Sequence, residues 1–153
     1  MPRSQQARAK RKVLFLCTGN SCRSQMAEGF ANSLCKDRLE ARSAGTHPQK
    51  LNPLAVRVMA EVGINIAQAE SKNVAEFYGE NFDLVVTVCD DARESCPLWA
   101  KGGETLHHRF DDPPRLASAV SDEEQILGVY RRVRDEIKAF VLSLPDTLDA
   151  SLS

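Results

Sequence analysis

Apolar positions fall into two rhythms along the chain. The run "VLFLC" at residues 13 to 17 is apolar throughout and closes on a Gly-containing turn, the pattern of a strand buried on both faces. "LEARSAG" (39 to 45) predicts a second strand ending at Gly45. "DLVVTVC" (83 to 89), rich in β-branched residues, predicts a third, and "ETLHHRF" (104 to 110) a weaker fourth. Between them the period lengthens. Met26, Phe30 and Leu34 recur every four positions, as one face of a helix running from Ser24 to about Cys35 would. Pro53 suits a helix start; Leu54, Ala55, Val58, Met59 and Val62 continue it, and Gly63 suits its stop. Ile126, Val129, Tyr130, Val133, Ile137, Phe140, Val141 and Leu144 form one long stripe, with Pro145 placed to end the last helix.

Strands alternating with helices predict an α/β fold, a single domain with a four-stranded parallel sheet flanked by helices on both faces. In such sheets the ligand lies beyond the carboxyl ends of the strands. Cys17 closes the first strand, Cys89 closes the third, and Asp111 and Asp112 follow the fourth, so three chemically capable segments converge on one rim. The domain is expected over residues 13–144, between a flexible basic tail (1–12, with Arg3, Arg8, Lys10, Arg11 and Lys12) and a C-terminal tail (145–153).

Composition narrows the function classes. The 153 residues suffice for one core, and a net charge of −1 gives no reason to expect nucleic acid or an acidic membrane as partner. The apolar run after the basic tail is too short for a signal peptide or a membrane span. Five cysteines (Cys17, Cys22, Cys35, Cys89, Cys96) without a secretion signal predict free thiols in a reducing cytoplasm. Their odd number argues against a static disulfide framework.

The loop after the first strand carries the sharpest chemistry. A turn between a strand and a helix N-terminus leaves backbone N–H groups without partners, and when they converge they form a nest for an oxyanion. Thr18, Gly19, Asn20, Ser21 and Cys22 would supply that nest. Gly19 permits backbone geometry that a Cβ hinders, and Asn20 tolerates the left-handed region. Arg23 adds a planar fork of donors matched to a tetrahedral oxyanion. The same field is expected to lower the Cys17 pKa, with the Ser24 hydroxyl donating to the sulfur. The plainer alternative makes Cys17 a buried packing residue and Arg23 a surface helix residue.

"CTGNSCRS" resembles the anion-binding loop of the low-molecular-weight protein tyrosine phosphatases and of the arsenate reductases that share their fold. The similarity continues through "QMAEGFA", "RSAGTHPQKLNPLAV", "EVGINI", "FDLVVTVCDDARESCP" and "FDDPPR", covering roughly residues 13 to 142. It implies that Asp112 is the general acid, aimed by Pro113, which restricts the preceding residue to extended backbone, and that Asp111 supports it. "CDDARESCP" resembles the redox segment of thioredoxin-coupled arsenate reductases, which plain phosphatases of this fold do not carry. The resemblance then implies a relay in which Cys17 takes arsenate, Cys89 attacks Cys17 and releases arsenite, and Cys96 attacks Cys89. Thioredoxin would reduce the resulting Cys89–Cys96 bridge. If residues 90 to 96 were helical, Cys89 and Cys96 would sit ~10 Å apart, whereas a bridge needs Cα atoms within ~4.4–6.8 Å. The segment must loop or unwind, and Trp99 is expected to pack near it.

Two other uses of these cysteines compete: a zinc site, which the spacings Cys17-x4-Cys22 and Cys89-x6-Cys96 disfavour because they do not resemble the close pairs of structural zinc sites, and inert packing residues in a phosphatase. Cys22 is expected to be structural, and Cys35 has no partner in the pattern. Phosphatases of this fold place aromatic residues after the Asp-Pro pair. Here Pro114 and Arg115 follow, which favours a small inorganic oxyanion. Some relatives bind potassium beneath the loop. Asn20, Glu28 and Ser43 match three of the positions involved, but the fourth, acidic in those relatives, is Lys72. His47, His107 and His108 lack ligand spacing and are expected to pack or face solvent. The resemblance thus implies a cytoplasmic, monomeric arsenate reductase without a bound cofactor, its alternative being a low-molecular-weight protein tyrosine phosphatase.

Overall fold

Strand β1 (Arg11–Cys17) is the spine of the sheet, and Val13 to Leu16 are wholly buried. Consecutive strand residues point to opposite sides, so both faces of β1 are covered. It runs parallel to β2 (Leu39–Gly45), with Arg11 opposite Leu39 and Cys17 opposite Gly45. On its other side it runs parallel to β3 (Leu84–Thr87), which in turn pairs with β4 (Glu104–His107). The strand order is β2-β1-β3-β4, all parallel. The computed structural model describes residues 10–89 and 104–152. The segment with Cys96 and Trp99 lies outside the described residues, as do residues 1–9 of the basic tail.

Helix α1 (Arg23–Leu34) connects β1 to β2 and buries Met26 and Phe30 completely. Full burial of such a side chain contributes roughly 1.5–3 kcal/mol. Helix α2 (Pro53–Glu61) starts as its sequence foretells: the Asn52 side-chain oxygen accepts from the Leu54 N–H (2.8 Å) and Pro53 takes the first turn. A 3-10 turn (Val74–Phe77) follows, closed by a reciprocal capping box between Asn73 and Glu76. The short helix α3 (Pro113–Ala117) and the long helix α4 (Glu123–Leu152) complete the chain, and α4 packs against α1, α2 and α3.

Three boundaries differ from the sequence reading. β1 begins inside the expected tail because its backbone finds partners there. The Lys12 N–H donates to Asp83 Oδ2 (2.7 Å), the Asp83 N–H to the Lys12 carbonyl (2.8 Å), and the Arg11 N–H to the Arg38 carbonyl (3.0 Å). β3 and β4 are shorter than the predicted spans 83–89 and 104–110, although single bonds carry the rails onward: Val88 N–H to Leu16 O (2.9 Å) and Phe110 N–H to Val88 O (3.1 Å). The third difference corrects the expected 145–153 tail, because α4 passes through Pro145 and runs on to Leu152. Proline cannot donate to the carbonyl four residues back. That carbonyl belongs to Val141, and the Cys35 thiol donates to it instead (4.0 Å). Leu144 and Leu148 bury on either side of the proline, so packing outweighs the lost bond.

Candidate active site

The rim above β1 and β3 holds a cavity of about 380 Å³, lined among others by Cys17, Gly19, Arg23, Cys89, Asp112 and Arg115. Its floor is the turn between β1 and α1. The carbonyls of that turn are taken by neighbouring segments. Cys17 O accepts from the Thr46 N–H (3.3 Å), Thr18 O from His47 (2.8 Å), Gly19 O from Gln49 (2.8 Å) and Ser21 O from Asn52 (2.9 Å). Asn20 O accepts from the Ser71 hydroxyl (2.8 Å) and from Gln25 Nε2 (3.1 Å). Among the described residues, none of the N–H groups of Gly19 to Arg23 donates to a protein acceptor. A turn with every carbonyl engaged and its amide hydrogens unspent is a donor ring for an anion.

Asn20 holds the turn in shape. It is wholly buried, with φ of +48°, in the left-handed region that asparagine tolerates. Its Oδ1 accepts from Gln25 Nε2 (3.1 Å) and from the Lys72 N–H (2.9 Å), and its Nδ2 donates to Ser24 Oγ (2.9 Å). Ser24 accepts there, which leaves its hydroxyl hydrogen for a second partner.

Arg23 is nearly buried, its side chain 11% exposed. Its Nη1 donates to the Phe110 carbonyl (2.9 Å), and its Nη2 lies 3.8 Å from Asp112 Oδ1. The buried Nε has no partner, and an unpaired buried donor of this kind is costly unless a ligand takes it. Asp112 is the N-cap of α3 with extended backbone (φ −87°, ψ 106°), as a residue before proline must be. Asp111 faces the other way, bonded to Arg132 Nη2 (3.0 Å) and to Arg109 Nη1 (2.9 Å). The hydrogen bonds from Arg132 and then Arg109 hold its carboxyl below the usual range.

Two of the sulfurs that line the cavity, Cys17 and Cys89, meet. Cys89 is buried, its Sγ lies 3.3 Å from Thr18 Oγ1, and it is hydrogen-bonded to Cys17. This contact overturns one expectation. Arg23 and the Thr18 N–H do pull the Cys17 pKa down, but the hydrogen bond with Cys89 and then burial push it well above the ordinary thiol value. Cys22 is inert for a simpler reason, since burial pushes its thiol up to about 12.

Several contributors escape the sequence. A Cβ on Gly45 would come 2.5 Å from Thr18 O and 2.9 Å from Asn20 N, so any side chain there would break the turn. The only hint in the sequence is a glycine at the end of a strand. Tyr130 on α4 accepts a hydrogen bond from Asn52 Nδ2 (3.0 Å), and the Asn52 N–H holds Ser21 O, so the last helix braces the loop through one residue. Beneath the loop Glu28, Ser43 and Lys72 lie together. Glu28 accepts from the Ser43 hydroxyl, and the Lys72 ammonium, bonded to Glu70 O (2.9 Å), stands 4.0 Å from the same carboxylate. A potassium ion there would meet the like charge of the Lys72 ammonium. Among the described residues, no group of three or more His, Cys, Asp or Glu side chains gathers as a metal site would require.

Comparisons with known proteins agree with this geometry. The model of the family described as low molecular weight phosphotyrosine protein phosphatase matches residues 12–152. An arsenate reductase of Shouchella clausii is 45% identical over 139 residues, 91% of this chain and 98% of the relative. Among solved structures, an arsenate reductase in the phosphate binding state superposes with a TM-score of 0.76 at 33% identity, covering 90% of this chain and 98% of the other. The thioredoxin-dependent arsenate reductase of Corynebacterium glutamicum gives 0.70 at 25% identity, covering 97% of this chain and 67% of that one. The chain belongs to the low molecular weight phosphotyrosine protein phosphatase family, on the branch represented by these arsenate reductases.

Proposed function

We propose that the protein reduces arsenate to arsenite by a relay of three thiols, and that thioredoxin restores them. Cys17 attacks arsenic in the donor ring; an arsenate oxygen leaves as water on protonation by Asp112, giving a Cys17–arsenic(V) thioester. Cys89 attacks the Cys17 sulfur. The S–As bond pair stays on arsenic, which departs as arsenite, while both sulfurs are oxidised to a Cys17–Cys89 disulfide. Cys96 then attacks Cys89, freeing the Cys17 thiolate and leaving a Cys89–Cys96 disulfide. Two electrons from the thioredoxin dithiol close the cycle.

The observation that carries this reading is the contact of Cys89 with Cys17 beside an unspent ring of anion donors. A phosphatase needs no second thiol at its nucleophile, because water resolves its intermediate. Arsenate-dependent NADPH consumption with thioredoxin and thioredoxin reductase is the test. Turnover is expected in the native protein and abolished in Cys17→Ser and Cys89→Ser, and the Cys96→Ser variant should accumulate a Cys17–Cys89 bridge after one turnover. Undiminished turnover in Cys89→Ser would end the reading.

A further inference from the structure

The cavity contains a positively charged side chain that the relay does not use. Arg23 is committed to the Phe110 carbonyl and lies against Asp112, while Arg109 is paired with Asp111. Arg115 lines the same cavity, yet among the described residues its guanidinium makes no ion pair and no hydrogen bond. Asp112, the one carboxylate among the described residues of the lining, faces Arg23 instead. Arg115 is also well placed. Pro113 occupies the first turn of α3 and Pro114 follows it, so the backbone that carries Arg115 is stiff. The Arg115 carbonyl accepts from the Ser118 hydroxyl (2.6 Å), which ties the helix end. The exposed side chain stands at the rim while the donor ring forms the floor.

We propose that Arg115 is a substrate-binding residue, a second guanidinium that closes over the tetrahedral oxyanion from its open side and favours the dianion over the monoanion. The floor supplies N–H dipoles and one arginine, enough to hold an anion of either charge. Near neutrality arsenate and phosphate are mixtures of the two forms. A further full charge at the mouth rewards the more highly charged form and draws anions in from solution. The proposal rests on the reductase reading only for which oxyanion is turned over.

Two measurements test it. In the coupled assay, Arg115→Gln is expected to raise KM for arsenate about tenfold, the loss of one charge-assisted contact, with the change in KM rather than kcat. KM should also rise less steeply with added salt than in the native protein, because a charge at the mouth is gone. Arg115→Lys should recover the salt dependence and only part of the affinity, since an ammonium lacks the planar fork. In the second measurement, calorimetric titration with inorganic phosphate should show about tenfold weaker binding to Arg115→Gln. An unchanged phosphate affinity with an unchanged salt slope overturns the assignment. The titration involves no redox step, so it reports on Arg115 even if the native protein fails to reduce arsenate.

Discussion

Cys17 shows how far one neighbour alters a side chain. Its local surroundings, a helix start and Arg23, favour thiolate, and a hydrogen bond with Cys89, just past the neighbouring strand, shifts the balance the other way. Replacing Cys89 by Ala removes the largest of the influences that raise Cys17. The pH midpoint for alkylation of Cys17 by iodoacetamide, followed on its own peptide, should move to lower pH. An unmoved midpoint would mean that burial alone holds the proton. Residues whose place at the rim is written in a few adjacent letters were legible: Cys17, Asn20, Arg23 and Asp112. Gly45, the Phe110 carbonyl and Tyr130 were not, because each acts on the loop only once the strand register and the last helix are in place.

At the scale of elements the sequence was legible wherever one rhythm ran without conflict. β2 spans the residues its pattern foretold, and α2 starts at its proline. It misled where two signals disagreed. At Pro145 the rule for helix ends opposed the apolar stripe, and the stripe won because Leu144 and Leu148 both reach the core. Pro145→Ala restores the missing N–H to Val141 O, while the unfolded chain gains freedom. The net effect should be stabilisation of about 1–2 kcal/mol, measured by urea unfolding. A variant no more stable than the native protein would show that the Cys35 thiol already compensates the Val141 carbonyl. The ends of β3 and β4 depended on pairing partners, which a one-dimensional pattern does not contain.

Across the whole molecule, α4 is the brace. Tyr130 reaches Asn52, Arg132 reaches Asp111, and Asp149 reaches Arg38. Arg131 and Arg134 both grip Glu61 at the end of α2, at 2.8 Å and 2.9 Å. Hydrogen bonding to Arg131, more than to Arg134, lowers the Glu61 pKa from 4.5 to about 2. Its folded value lies below its unfolded one, so the stabilisation is full above about 4.5 and fades as pH falls toward 2. The stability difference between the native protein and Glu61→Gln should therefore shrink through that window in urea titrations. A difference independent of pH would assign the effect of the substitution to packing. No helix among the described residues is long and apolar enough to cross a membrane. The engaged carbonyls from Cys17 to Ser21 have a kinetic meaning. The receptor is wound before its guest arrives, its entropy already surrendered during folding. Capture should then run at the pace of diffusion and charge steering, with no slow rearrangement of the turn to wait for.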